Sequence, residues 1–555
     1  MRELTVWNGK QVGLDRLVRR NADQSVVLIG FQKQGNLGIG YLAAALNQHA
    51  YRVEIVDFEQ EPSIILDVIT RTQPILVGLS LIFQFYAPQF ASLARYLREN
   101  DVNCHFTIGG HFPSLSYEQT LEIIPDVDSV VRFEGEITLL ELADCLSTGS
   151  EWHEIDGLAY RKLGQIVTNP LRPLIHDLDA LPHPVRDFKP MAVLGRNIMP
   201  ILASRGCART CSFCSIHTFY RSVPGKVVRI RKPVNVVQEM KLLYEQRDIS
   251  VFLFQDDDFP VFGPAWRRWA LELVDELYRQ NLAGHVIWKI NCRADAVERE
   301  LFMRMRDAGL YLVYMGLESG TEDGLDVLHK EITVEENLQA VDTLKELGLM
   351  FQYGFMLFDP SSTFESVRDN IKFLRRVVGD GSAAATFCRM LPYDGTPIKD
   401  ELKRSGRLKG DVCDPNYDFL DPSLERYFYE LHDLLNIAGW IHGVRSLSPQ
   451  LDWAWHETTV LQRLFPPLEG GKTYIEVLRS ITKSGNDLLF EAVESLADSF
   501  QDRGGTARTA AALELQCQRL LGDLQRERND FIGRHQQVLL EVLGKHLDQE
   551  CVTTG

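Results

Sequence analysis

Through the first 150 residues, short apolar runs alternate with stretches whose apolar residues recur at helical spacing. SVVLIG (25–30), RVEIVDF (52–58), ILVGLS (75–80), HFTIGG (105–110) and VDSVVRF (127–133) read as strands. GIGYLAAALNQHA, PSIILDVITRT, APQFASLARYLREN and ITLLELADCL lie between them and read as helices. Strand–helix alternation predicts a parallel sheet covered on both faces. Such a sheet binds its ligand beyond the carboxyl ends of its strands. Those ends carry Phe31–Gly40, Ser80–Gln84, Gly109–Ser114 and Glu134–Glu136.

The pattern then changes. GLAYRKLGQIVTNP predicts a small hairpin, and LIHDLDALPHPVRDF a proline-broken connector. From about residue 197 a second series begins, with IMPILAS, VFLFQDD, HVIWKIN, LYLVYMG, FQYGFMLF and AAATFCRM as its strands. Six strands separated by helix-length segments predict an open parallel barrel with its chemistry at the carboxyl ends. Beyond about 421 the strands cease. Leu424, Tyr427, Phe428, Leu431 and Leu435 then repeat at helical spacing, as do Leu489, Ala492, Val493, Leu496 and Phe500, and QDRGGTARTA (501–510) interrupts the series. The expected class is α/β in four parts: 1–150 a Rossmann-like sheet, 151–195 a linker with a small hairpin, 196–405 a partial (β/α)6 barrel, and 406–555 a helical region. Trp440, Trp453, Trp455 and Phe465 in that region fit either a cover for the barrel mouth or a simple core.

Composition narrows the function. In 555 residues, 45% are hydrophobic and 24% charged, and the formal net charge is −17. That charge argues against a nucleic-acid footprint, which needs a basic face. No run approaches the length of a membrane span, and the basic start MRELTVWNGKQVGLDRLVRRN lacks the apolar core of a signal peptide. A cytoplasmic, reducing location is therefore expected for the ten cysteines, where clustered thiols bind metal rather than pair. Seven, among them Cys104, Cys145, Cys292 and Cys551, are scattered.

The other three are Cys207, Cys211 and Cys214, in SRGCARTCSFCSIHTFY directly after the first strand of the second series. Three thiolates on one loop can hold three irons of a cubane and leave the fourth iron open. Zinc is the plainer alternative, with His217 the local candidate for a fourth ligand. With aromatic Phe213 before the last cysteine, the loop resembles the signature of the radical S-adenosylmethionine (SAM) superfamily. The resemblance implies a [4Fe–4S] cluster whose open iron binds the amino and carboxylate groups of SAM. One electron then cleaves the sulfonium to a 5′-deoxyadenosyl radical. FQDDDF (254–259), RADAVERELFMRMRDAG (293–309), MGLESGTEDGL (315–325), GFMLFDPSSTFES (354–366) and LPYDGTP (391–397) resemble the strand ends of its Elp3/MiaB-like barrels. By that resemblance Asp257, Arg293 and Glu318 are candidates to contact SAM, although each also reads as a helix cap or surface ion pair. Phe358 departs from the pattern, standing where a glycine is usual.

NLGIGYLAAAL (36–46), VEIVDF (53–58), VGLS (77–80), GGHFPS (109–114) and RFEGEITLLEL (132–142) resemble the cobalamin-binding module fused to many such enzymes. The resemblance makes Leu37, Gly38, Ser80, Gly109, Gly110 and Glu134 cofactor candidates, with Ser80 toward the nucleotide tail. Bulky groups at Gly109 or Gly110 are expected to protrude into the crevice. The motif D-x-H-x-x-G is absent, and His111 reads as a turn residue rather than a cobalt ligand. The implied activity is methylation of an unactivated carbon of a small molecule, with cobalamin supplying the methyl and a flavodoxin or ferredoxin supplying electrons. Radical cyclisation or oxidative rearrangement is the alternative. Transfer-RNA methylthiolation fits less well, because no second cysteine triad or basic tail is present.

Overall fold

A computed structural model describes residues 21–33, 35–441, 445–501 and 509–544. The basic start, Cys551 and most of the 501–510 interruption lie outside them. Seven strands form the first sheet: β1 (Ser25–Gly30), β2 (Arg52–Asp57), β3 (Leu76–Ser80), β4 (His105–Gly109), β5 (Ser129–Val131), β6 (Leu158–Lys162) and β7 (Gln165–Thr168), in the order β2-β1-β3-β4-β5-β6-β7. The first five are parallel. Helices α1 (Leu37–Gln48), α2 (Pro62–Thr72), α3 (Ala87–Glu99) and α4 (Glu136–Thr148) cover both faces. Ile39, Ala43, Leu46, Leu139 and Leu142 seal one face, and Ile65, Ile69, Phe90 and Leu93 the other. The order reverses between β1 and β3, which opens a crevice at their carboxyl ends.

The small hairpin is no independent linker. Its strand β6 pairs antiparallel with β5 and extends the first sheet. Cutting the chain at 150 would expose β5 as an unprotected edge. The connector that follows is fixed as well. Val185 donates its N–H to the Gly40 carbonyl on α1, where a Cβ would lie 2.4 Å from the Val185 carbonyl oxygen. Arg186 and Arg231 both pair with buried Glu239, at 2.6 Å each.

The second sheet runs β8 (Met191–Val193), β9 (Arg196–Ile201), β12 (Ile249–Phe254), β13 (Ile287–Cys292), β14 (Leu310–Glu318), β15 (Met350–Phe358) and β16 (Cys388–Arg389) in space. The last six are parallel, and β8 is an antiparallel edge. A hairpin of β10 (Ser204–Arg205) and β11 (Arg229–Ile230) stands at the end of β9, with α5 (Ser215–Arg221) between its strands in sequence. Helices α6 (Pro233–Arg247), α7 (Pro264–Arg279), α8 (Arg299–Asp307), α9 (Val334–Glu346) and α10 (Phe364–Val378) pack on the outer face. Thr333 with Glu336, and Thr363 with Ser366, form capping boxes that start α9 and α10. The inner face stays open, so β15 alternates half-buried and buried residues where a doubly covered parallel strand would be buried throughout.

Four long helices follow the small antiparallel pair β17 (Leu408–Gly410) and β18 (Pro415–Tyr417): α11 (Pro422–Ile437), α12 (Leu447–Leu464), α13 (Gly471–Phe500) and α14 (Ala510–Arg534). Val460, Leu461 and Phe465 pack with Ile198, Val251, Ile287, Tyr311 and Leu312 at the amino ends of the strands. The tail forms the barrel's floor through α12, while its α11 reaches the carboxyl end of β15. Trp440, Trp455 and Phe465 are core, while Trp453 is partly exposed. Phe358 is core too, packed among Phe387, Phe419, Tyr427 and Phe428 where β15 meets the tail. No helix of the described residues is long and apolar enough to cross a membrane.

Asn486 on α13 donates to the carbonyls of Val378 and Ala383 and accepts from the Ala385 N–H, all at 2.7–2.9 Å and buried. This ties the segment leading into β16 to the floor. Asn486→Ala should cost about 3 kcal/mol of stability, since it leaves buried backbone groups unpaired. Denaturant unfolding measures it, and a loss indistinguishable from zero would refute the tie.

Candidate functional site

Two loops converge at the junction of the sheets: the cysteine loop after β9, and the loop after β5. Gly206 precedes Cys207 with φ +89°, and a Cβ there would lie 2.1 Å from the Val227 carbonyl oxygen. Only glycine lets the chain turn here. Three consecutive aspartates at the end of β12 hold this turn. Asp256 accepts from the Ala203 N–H at 3.2 Å and the Ser204 hydroxyl at 2.5 Å. Asp257 accepts from the Gly206 N–H at 3.0 Å, and Asp258 lies 4.0 Å from the Cys207 sulfur. Burial pushes their carboxyls up, Asp256 to about 7 and Asp257 and Asp258 to about 6, against the hydrogen bonds and cations that favour charge.

Cys211 is buried; Cys207 and Cys214 are half-buried. The Arg209 N–H points at the Cys207 sulfur at 3.5 Å, as backbone amides do toward cluster thiolates. Burial raises the Cys207 and Cys214 thiols to about 12 and about 11, so iron would have to displace their protons. His217 lies in the first turn of α5 with its Nε2 buried and unpartnered. These residues fit an open-site cubane.

The candidate SAM contacts surround this loop, each engaged by the protein. Arg293 pairs with Asp295 at 3.1 Å, donates to the Glu331 carbonyl at 3.3 Å and reaches the Cys211 sulfur at 3.9 Å. Glu318 ends β14 at φ +63° and pairs with buried Lys330 at 3.0 Å. Gly316 and Gly354 lie opposite each other in the sheet. A Cβ at Gly316 would lie 2.1 Å from Glu318 Oε1, so the glycines make room for the inward-turned carboxylate. Asp257 faces the neighbouring cavity instead.

That cavity, of about 270 Å³, lies at the switch point of the first sheet and is lined by Gly38, Gly78, Ser80, Thr107, Gly109 and Gly110, closed from the barrel side by Arg205, Tyr220 and Asp257. A Cβ at Gly38 would meet only Asn36 within contact range, so this glycine leaves space for a guest. The small lining suits the slender tail of a corrinoid. Leu37 is buried at the start of α1 and is not among the lining residues. Gly109 and Gly110 line the cavity, but their missing side chains would not point into it. A Cβ at Gly109 would lie 3.0 Å from the Val131 carbonyl, and one at Gly110, where φ is +122°, 2.1 Å from the Leu81 carbonyl. The expectation that bulk at these positions enters the crevice is therefore corrected: Gly110 is required by the backbone. His111 stacks flat on Phe219, ring centres 4.3 Å apart, and burial lowers it to about 4. It also lines a second cavity of about 510 Å³ with Phe83, Phe112, Phe213, Cys214 and Tyr393.

Glu134 does more than line the first cavity. Arg229 donates to both its oxygens at 2.7 and 2.8 Å, Arg205 at 3.1 Å, and the Ile175 N–H at 2.7 Å. Arg205 also donates to Glu136 at 2.6 Å and covers the Tyr41 ring at 4.7 Å. Burial opposes the charge on Arg205, but Glu136 and Glu134 outweigh it and hold the guanidinium protonated. The sequence offered no cue to this network beyond the paired glutamates of RFEGE and the arginine of SRGC.

A B12-binding-domain model matches residues 31–143, and a radical SAM superfamily model matches residues 201–374. An uncharacterized methyltransferase of Pyrococcus horikoshii is 30% identical over 372 residues, spanning 65% of this chain and 77% of its own. Anaerobic magnesium-protoporphyrin IX monomethyl ester cyclase of Rubrivivax gelatinosus is 28% identical over 416 residues, 72% and 71% of the two chains. Among solved structures, the cobalamin-dependent S-adenosylmethionine radical enzyme OxsB with aqua-cobalamin bound shares the fold, with a TM-score of 0.66 at 17% identity over 94% of this chain and 83% of that one.

Two substitutions test the junction. Glu134→Gln removes the carboxylate that separates two buried arginines and should cost about 3–5 kcal/mol in denaturant unfolding. Gly110→Ala should lower the melting temperature of the corrinoid-free protein, because the strain is in the backbone. Unchanged melting would restore the crevice reading of Gly110.

Proposed function

The chain belongs to the B12-binding radical SAM family, and from that premise we propose that it methylates an unactivated carbon of a small-molecule substrate at the junction of its two sheets. Membership brings a [4Fe–4S] cluster, SAM and cobalamin. When bound, the cluster and SAM supply a radical able to take hydrogen from carbon, and cobalamin supplies the methyl group. The observation that carries the reading is the shared wall: Arg205, two residues before Cys207, also lines the cavity that suits a corrinoid's tail, so both cofactors would meet across one loop.

In this reading Cys207, Cys211 and Cys214 hold three irons, and Asp256–Asp258 hold their loop in shape. Phe213 and Arg293 would flank the cluster, and Glu318, turned into the barrel beside Gly316 and Gly354, would contact SAM. Gly38, Ser80 and the backbone at Gly109 and Gly110 cradle the nucleotide tail of the corrinoid, with Glu134 fixing the wall beside it. A one-electron donor of the flavodoxin or ferredoxin type would reduce the cluster. The cyclase relative keeps ring formation as a second reading.

Anaerobic purification followed by iron, sulfide and corrinoid analysis tests the cofactors. Alanine at all three of Cys207, Cys211 and Cys214 should abolish reductive SAM cleavage; 5′-deoxyadenosine formed at the wild-type rate would defeat the assignment. Glu318→Gln should weaken SAM binding by roughly tenfold or more with iron content near normal. SAM labelled on its methyl should pass label to bound cobalamin, and a corrinoid that never acquires it would favour the ring-forming reading.

A further inference from the structure

The inner face of the barrel is tiered. Lys289, Leu312 and Met350 lie in one register across β13, β14 and β15, and Asn291, Tyr314 and Gln352 in the next. The lower tier meets the apolar floor: Leu312 and Met350 pack with Val460 and Leu461 of α12, and the Thr459 hydroxyl lies 3.8 Å from the Met350 sulfur. Lys289 rises from this tier alone among apolar neighbours. Its Nζ donates to Asn291 Oδ1 and lies 5.6 Å above the Tyr314 ring. Among the described residues no carboxylate pairs with it; Asp256, the nearest in electrostatic effect, is taken by Ala203 and Ser204. Burial lowers Lys289 to about 8, with Asp256 opposing.

A half-buried ammonium without a counter-charge is an unfavourable thing to build into a fold. It is well used where a guest brings the missing charge. We propose that Lys289 anchors an anionic group, a carboxylate or a phosphoryl, carried by the substrate. This rests on the reading of the barrel as the reaction chamber. SAM also carries a carboxylate, but that group belongs at the open iron. Arg293, beside the cluster loop, stands four residues beyond Lys289, roughly 13 Å along the strand. The substrate then reaches down the chamber with its acid on Lys289 and its reacting carbon toward the cofactors.

The test uses the full-length holoenzyme, with iron, corrinoid and 5′-deoxyadenosine formation measured first, so that failure of the chamber reading is seen on its own. Lys289 is labelled with a small amine-reactive imidate and quantified by mass spectrometry, with inorganic phosphate, acetate or SAM as protecting probes. Phosphate or acetate should slow labelling with SAM already bound, and Lys289→Met should leave SAM affinity within about twofold of wild type. Protection by SAM alone, or SAM affinity roughly tenfold weaker in Lys289→Met and restored in Lys289→Arg, would assign the lysine to SAM and overturn the proposal. Labelling that no probe slows would overturn it as well. The labelling is read on the wild-type protein, so it stands even if the methionine variant fails to fold.

Discussion

Arg205 and Arg229 face each other across the β10–β11 hairpin, and like charges placed directly opposite destabilise a strand pair. The hairpin can form only because Glu134 and Glu136 arrive from the other sheet to separate and neutralise them. Much else follows from this. Arg205 fixes the approach to Cys207, so a glutamate pair on a different domain anchors the entry to the loop that the aspartates hold in shape. Glu134 in turn receives the Ile175 N–H and so steers the connector. A buried network of this kind adds little net stability over an apolar contact, but removing one member is costly. What it supplies is registration: the crevice of one sheet can face the open end of the other in one way only.

The chain's alternation made the layout legible. The five parallel strands of the first sheet were readable as apolar runs, and β1 matches SVVLIG residue for residue. The barrel strands were readable for the same reason, except that AAATFCRM shrinks to Cys388–Arg389 because its first residues are held by Asn486 and Tyr353 rather than by a neighbouring strand. The cysteine loop was legible because its spacing is local. Less visible was anything depending on partners far apart in sequence. Asp257 reads as a ligand for SAM by its place in FQDDDF, yet its carboxylate serves the Gly206 backbone. Lys289 sits inside a plain strand, and only the register of three strands and a helical floor make it conspicuous.

The helical tail shows the same limit. Its aromatic residues fitted a lid or a core, and periodicity cannot tell which end of a barrel a helix will close. The strand amino ends decide it: Ile198, Val251, Ile287 and Tyr311 present an apolar rim that needs covering, whereas the carboxyl ends of β9 and β12 present cysteines and carboxylates that do not. The floor therefore belongs where the burial of apolar surface is greatest.

The division of the ion network between distant segments also governs how the protein is made. Synthesis proceeds from the amino end, and domains tend to fold as they emerge. Glu134 and Glu136 leave the ribosome well before Arg205 and Arg229 exist. The first sheet, complete once the β6–β7 hairpin has joined it, must stand for a time with two hydrated carboxylates at the rim of its crevice. Only when the cysteine loop emerges can those charges be buried and the two halves close. The crevice is thus open to the medium while the second half is still being made, a natural interval for a bulky guest to enter before the door has been built.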